Sequence, residues 1–237
     1  MVIIMNKENE KQIHELKSIR RKIFIRFSFF PLFIGLFVLL PAGTFLFWEV
    51  YAYFAVILIP LAFVISYFLK NDPDFLERRS KMKEKETQQK KIVLLSIPLY
   101  LAGFILPGFD HRFGWSDIPV FIVIIADLLV LSSYTYIFLV FKENSYASRV
   151  VEVEEAQKVI STGPYSIVRH PMYLGVLVMF LSTPVALGSW WAVIPFAIMP
   201  VILVFRIFNE EKVLSEQLPG YTEYCRKVRF RMIPFVW

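Results

Sequence analysis

The sequence predicts an all-α, polytopic integral-membrane helix bundle of about six spans, and three observations carry that prediction. Of its 237 residues 57% are apolar and only 19% charged, against roughly 45–50% and 25% in an ordinary soluble domain. Apolar stretches near the ~20 residues that cross a bilayer core recur along the chain. The charged residues between them are bunched, with nearly all of the basic ones in alternate connections. Disordered, collagen-like and disulfide-stapled classes are excluded on composition. Cys225 is the only cysteine, so neither an intrachain disulfide nor a multi-thiolate metal site is available. His14, His111 and His170 lack metal-ligand spacing, and no metal is expected.

In chain order, residues 6–22 are rich in Lys, Glu and Arg and do not read as a cleavable leader. Within them Ile13, Leu16 and Ile19, followed by Ile23, sit at helical spacing among Lys11, Lys17, Arg20, Arg21 and Lys22, which suits a basic amphipathic helix on a membrane surface or a solvated anchor for the first span. The expected spans are 23–47, 50–69, 92–109, 118–141, 172–187 and 190–208, the third short and carrying Pro98 and Gly103. The last two form a hairpin about Leu187-Gly188-Ser189. Between the second and third, Asn71-Asp72-Pro73-Asp74 opens a helix in a charged connection read as topological. This divides the chain into an interfacial segment 1–22, spans one to four in 23–141, and a block 142–237 with the last two spans and the tail. With the N-terminus inside, 25 of the 26 basic residues fall on one side and Arg112 alone on the other. The positive-inside rule then makes both termini cytoplasmic, and the net charge of +6 records orientation; no nucleic-acid partner is expected.

The nine glycines form neither GxGxxG nor a Walker loop, so no Rossmann site or P-loop is available. The chemistry-bearing residues concentrate after span four: Gln157-Lys158-Val159-Ile160, then Gly163-Pro164-Tyr165, then Arg169-His170-Pro171-Met172-Tyr173-Leu174-Gly175. Pro171 suits a first helical position, which makes His170 the cap of span five. His170 reads either as an interfacial capping histidine or as a group held at the mouth of the bundle, and Gly175 admits a close neighbour. Span six ends in Arg206-Ile207-Phe208-Asn209-Glu210-Glu211, where Arg206 and Glu210 share a helix face. These are either a snorkelling anchor with a surface ion pair or an interior site. Asp127 is the one acid at bilayer depth, expected to face the interior in a structural hydrogen bond or at a cavity wall. The tail from Pro219 to Arg231 mixes aromatic and basic residues, matching an anionic leaflet or a lid.

Taken in order, the Lys-Val-Ile stretch, Gly-Pro-Tyr, Arg-His-Pro-x-Tyr-x-Gly, the hairpin, Arg-x-x-x-Glu-Glu and Gly-Tyr-x-x-Tyr resemble the isoprenylcysteine carboxyl methyltransferase family, within the membrane methyltransferase group that also includes phospholipid N-methyltransferases. The resemblance spans roughly 142–237, with weaker likeness at Asp72-Pro73-Asp74-Phe75-Leu76 and Phe113-Gly114-Trp115-Ser116. It implies a cytoplasm-facing pocket in which S-adenosylmethionine is held by Gln157, Lys158, Val159, Ile160, Tyr165, His170, Pro171, Met172, Tyr173 and Glu210. Glu210 would pair the cofactor ammonium, Arg206 would orient a carboxylate and Glu211 would support it. The implied partners are the lipid bilayer and a lipidic or prenylated acceptor, a prenylcysteine-like carboxylate or, alternatively, a phospholipid amine. The tail also resembles that of NADPH-dependent membrane sterol reductases. A non-enzymatic scaffold or transporter is the alternative from another class, although no inverted repeat is visible.

Overall fold

In the computed structural model the described residues are 29, 31–33, 35–80, 87–148, 150–154 and 157–237. The amphipathic reading of residues 1–22 lies outside them. Among the described residues the chain is helical apart from connecting segments, and a lone parallel bridge joins Val168 to Phe230. Helix α1 is Trp48–Asn71, α2 Pro73–Ser80, α3 Thr87–Phe113, α4 Val120–Glu143, α5 Pro171–Ala186, α6 Val193–Gln217 and α7 Tyr221–Lys227. Before α1, a π-helical segment Gly35–Leu39 runs into an α-turn Leu40–Ala42.

Four helices, α1, α3, α4 and α6, are long and apolar enough to cross a membrane, and they coincide with four of the six apolar runs of the sequence. Helix α5 starts at Pro171 and ends before the left-handed Gly188; its 16 residues rise only about 24 Å, short of a ~30 Å core. Of the first run, 23–47, the helical part among the described residues reaches Ala42 and stops at Gly43, which is left-handed at φ 65°. The third run is longer than its apolar stretch, 27 residues with Pro98 and Pro107 inside the helix, since neighbouring helices can satisfy the backbone groups a proline frees.

The apolar core lies where α1, α3, α4, α5 and α6 meet, around Tyr53, Phe104, Phe180, Phe196 and Met199. Leu94, Leu128 and Phe205 face outward at 68%, 58% and 61% exposure, as a lipid-bathed surface permits. Two glycines let helices close up. A Cβ at Gly175 would stand 2.6 Å from Ile137 of α4, and one at Gly103 would stand 2.6 Å from the Phe196 ring. Gly175, read from sequence as room for a backbone or a flat ligand, thus receives a neighbouring helix.

The bundle has two polar ends. At one, the buried Asp110 accepts the Ser116 amide and the Ser116 hydroxyl, both at 2.7 Å, and the Ser189 hydroxyl. This fastens the α3–α4 connection to the α5–α6 turn. At the other end, residues 144–148, 150–154 and 157–160, a 3₁₀ turn Gly163–Ser166, the start of α5, the end of α6 and α7 converge.

Candidate active site

His170 is the N-cap residue of α5 and Pro171 its first residue, in the positions the sequence indicates, but the imidazole does not cap the helix. Its Nε2 instead lies 3.3 Å from Glu211 Oε1. Glu211 is buried among cations: Arg169 Nη1 donates to Oε1 at 2.9 Å and Arg231 Nε to Oε2 at 2.9 Å. One carboxylate therefore gathers the approach to α5 and the tail onto α6. The backbone repeats the connection, Arg169 N–H donating to the Phe230 carbonyl at 2.9 Å and His170 N–H to that of Arg231 at 2.7 Å. The Tyr224 hydroxyl donates to the Tyr165 carbonyl at 2.7 Å. The tail is thus pinned across the site.

Glu210, one residue earlier, points elsewhere. The Tyr173 hydroxyl donates to Glu210 Oε2 at 2.8 Å and accepts from Arg206 Nε at 2.9 Å, so α5 contributes the central member of an Arg206–Tyr173–Glu210 chain whose ends lie one turn apart on α6. The spacing of Arg206 and Glu210 placed them on one face, and the structure adds the phenol that joins them.

A cavity with a free volume of ≈ 100 Å³ collects most of the expected residues: Gln157, Lys158, Val159, Ile160, Tyr165, His170, Met172, Tyr173, Arg206 and Glu210. Pro171 is buried at the helix start and Glu211 is turned to Arg169, Arg231 and His170; neither borders the cavity. Asn144, Leu214, Leu218, Tyr221 and Tyr224 do, and sequence reasoning did not single them out. For Tyr221 and Tyr224 the signal was present in the Gly-Tyr-x-x-Tyr string. Asn144 ends α4; its Nδ2 donates to the Tyr165 hydroxyl at 3.0 Å and its Oδ1 accepts the Tyr146 amide at 3.0 Å, a turn that reverses the chain into the cavity wall. The Tyr221 hydroxyl is buried without a hydrogen-bond partner, a polar atom in a cavity wall ready for a ligand. Burial raises the Tyr165, Tyr221 and Tyr224 phenols above their ordinary range, so they remain neutral hydrogen-bonding groups.

A second cavity of ≈ 540 Å³, between the first half of α3 and the α5–α6 pair, shares Arg206, Tyr173 and Val150 with the first and is otherwise mostly hydrocarbon, including Ile97, Val176, Phe180, Met199 and Leu203. Through Ile97, Tyr100 and Phe180 it borders a third of ≈ 590 Å³, deeper in the bundle, where the Tyr53 and Thr183 hydroxyls lie 3.1 Å apart. Asp127 is buried in α4 with Oδ1 unpartnered and lines none of these three.

The charged connection after α1 does more than mark topology. Asp72 Oδ1 caps α2 by accepting the Phe75 amide at 3.0 Å. Arg78 Nε then donates to the Ser145 carbonyl at 2.9 Å and Arg79 Nη1 to that of Ser148 at 3.0 Å, with Met172 Sδ 3.9 Å from the same nitrogen. Helix α2 thereby props the segment that walls the cavity. Among the described residues no group of three His, Cys, Asp or Glu side chains converges as metal ligands.

Residues 121–219 match the phospholipid methyltransferase family. Protein-S-isoprenylcysteine O-methyltransferase B of Arabidopsis thaliana is 28% identical over 152 residues, 61% of this chain and 72% of the relative, and the A form is 26% identical over the same shares. This match and these relatives support the isoprenylcysteine methyltransferase/phospholipid methyltransferase family for the chain. The matched segment runs from the start of α4 to the end of α6 and so includes the Arg206–Tyr173–Glu210 chain. A delta(14)-sterol reductase of Mus musculus is 32% identical over 84 residues, 34% of this chain and 20% of the reductase.

Proposed function

We propose that this protein is a membrane methyltransferase that uses S-adenosylmethionine to methylate the carboxylate of a lipidic, prenylcysteine-like acceptor, at a site facing the cytoplasm. The observation that carries the reading is the position of Arg206 and Tyr173, which border both the polar cavity and the apolar one. A cofactor on one side and an acceptor tail on the other would meet there. The one-sided basic charge supports the cytoplasmic orientation.

The polar cavity fits the cofactor in kind. Glu210 offers a carboxylate for its ammonium, the unpartnered Tyr221 hydroxyl a hydrogen bond, and the surrounding tyrosine rings suit a sulfonium. At ≈ 100 Å³ it is narrower than the roughly 300 Å³ and upward of an ordinary ligand site, so entry requires the wall residues 144–148, 150–152 and 157–160 to move outward. When bound, the cofactor supplies a methyl group on a cationic sulfur. Transfer of that methyl to the acceptor oxygen would leave the C–S electron pair on sulfur and cancel the two opposite charges. Arg206 orients the carboxylate, for which a guanidinium fork is matched in shape. Tyr173 holds Arg206 and Glu210 in register. No proton moves, so no general base is needed, and positioning in a site of low dielectric supplies the rate. Glu211, first read beside Arg206 in catalysis, becomes a positioning residue that binds the tail to α6.

Calorimetry on the purified protein in lipid should detect S-adenosylhomocysteine binding, with Glu210→Ala weakening it and Arg206→Ala sparing it while abolishing most turnover on a prenylcysteine acid. Binding of NADPH in its place would transfer the protein to the reductase reading. Methylation of an aminophospholipid and not of the acid would replace the carboxylate by an amine.

A further inference from the structure

The apolar cavity carries a second cation, from a helix outside the matched family segment. Lys90, in the first turn of α3, borders the same ≈ 540 Å³ cavity as Arg206, and no acidic residue lines it. Gln89 sets the register: it is fully buried, and its Nε2 donates to the Arg206 backbone carbonyl at 3.2 Å. That bond ties the first turn of α3 to the turn of α6 that presents the guanidinium. Ammonium and guanidinium then flank one mouth from opposite helices. Lys90 is exposed at the rim while Arg206 is half-buried; the screened field of the first and the stronger field of the second both attract an entering anion and repel an ammonium head.

Resting on the carboxylate reading above, we propose that Lys90 is a specificity-determining residue which, with Arg206, forms a two-cation mouth admitting lipids with a net anionic acceptor group and disfavouring amines, and that Gln89 is the positioning residue holding it there. Lysine suits this task because its compact ammonium on a flexible stem can follow the carboxylate inward. Arg206 retains the fixed two-point contact at the reaction position.

Steady-state kinetics of the full chain in nanodiscs, with N-acetyl-S-farnesylcysteine as acceptor and its uncharged carboxamide as competitive inhibitor, tests this. Lys90→Ala should raise KM for the acid about five- to tenfold, the scale of one partly solvated charge pair. It should leave kcat, S-adenosylhomocysteine affinity and the carboxamide inhibition constant unchanged, and Lys90→Arg should restore KM. Gln89→Leu should lower kcat and, by freeing Lys90 from its register, shrink the KM effect of a superimposed Lys90→Ala. Equal weakening of acid and carboxamide, or an unmoved KM, overturns the role of Lys90. A full Lys90→Ala effect in the Gln89→Leu background overturns the clamp. If wild-type protein turns over an aminophospholipid and not the acid, the carboxylate reading itself has failed; if it turns over the acid with KM indifferent to Lys90, only this inference has.

Discussion

Glu210 and Glu211 are adjacent on α6 and keep different company. Glu210 meets a phenol and faces the cavity, whereas Glu211 meets Arg169, His170 and Arg231. Removing the charge of Glu211 leaves two partly buried arginines without their anion, so Glu211→Gln should destabilise the tail by about 3 kcal/mol. A thermal-shift measurement should fall while S-adenosylhomocysteine affinity, read on the folded fraction, holds; a loss of affinity with no loss of stability would return Glu211 to the binding site. Tyr173→Phe removes the hydrogen bonds to both neighbours while keeping the ring. It should lower kcat about tenfold, the scale of one charge-assisted hydrogen bond, with stability preserved. The Tyr221 phenol is raised first by burial and then by the negative charge of Glu211. A group with a raised folded pKa contributes stability that is complete below its unfolded value and lost above it. Denaturant midpoints should therefore fall as pH rises beyond about 10, and Tyr221→Phe should flatten that decline. At this scale the letters Arg-x-x-x-Glu-Glu named the participants, but the opposite tasks of the two acids depended on which groups other segments brought to each face.

Among the elements, α4 and α5 depend on close approach and α2 on capping. A leucine at Gly175 would have to displace Ile137, whose side chain is 2.6 Å from any Cβ there. Gly175→Leu should cost about 2 kcal/mol or more and reduce folded yield; Gly175→Ala is the milder control. Helix α2 should matter through its two arginines. Arg79→Ala loses the bond to the Ser148 carbonyl, so the cavity wall loosens, and S-adenosylhomocysteine affinity should fall several-fold with global stability little changed. Equal affinity in the variant would confine α2 to a topological role. The α2 start was legible from Asp72-Pro73, an N-cap followed by a residue preorganised for the first turn. Its docking was not, because the carbonyls its arginines seek belong to residues some 70 positions away. Likewise Gly175 announced a close approach without saying what approaches.

For the molecule as a whole, the polar ends have separate duties. Asp110 anchors the end away from the site, and Asp110→Asn should lower the unfolding temperature without altering cofactor affinity or KM. The proposed chemistry has its own pH signature. A carboxylate acceptor is ionised throughout neutral pH, so with no base required kcat should be flat between about pH 6 and 9. An amine acceptor would give a rate rising with pH, since it must first lose a proton, and that slope would be decisive against the carboxylate.

What the sequence determined by itself was the class of solvent and the inventory of the site: apolar runs of membrane length, basic residues gathered in alternate connections, and an ordered set of motifs near one end. These follow from composition and local spacing, which need no partner. Tertiary structure decided what depends on pairs distant along the chain. It turned Glu211 away from the cavity, put Tyr173 between Arg206 and Glu210, and brought Gln89 and Lys90 of α3 to the same mouth. The physical reason is that a helix defines its own faces but not its neighbours; only packing selects which polar atoms meet, and in a bundle with so few of them that selection sets the chemistry.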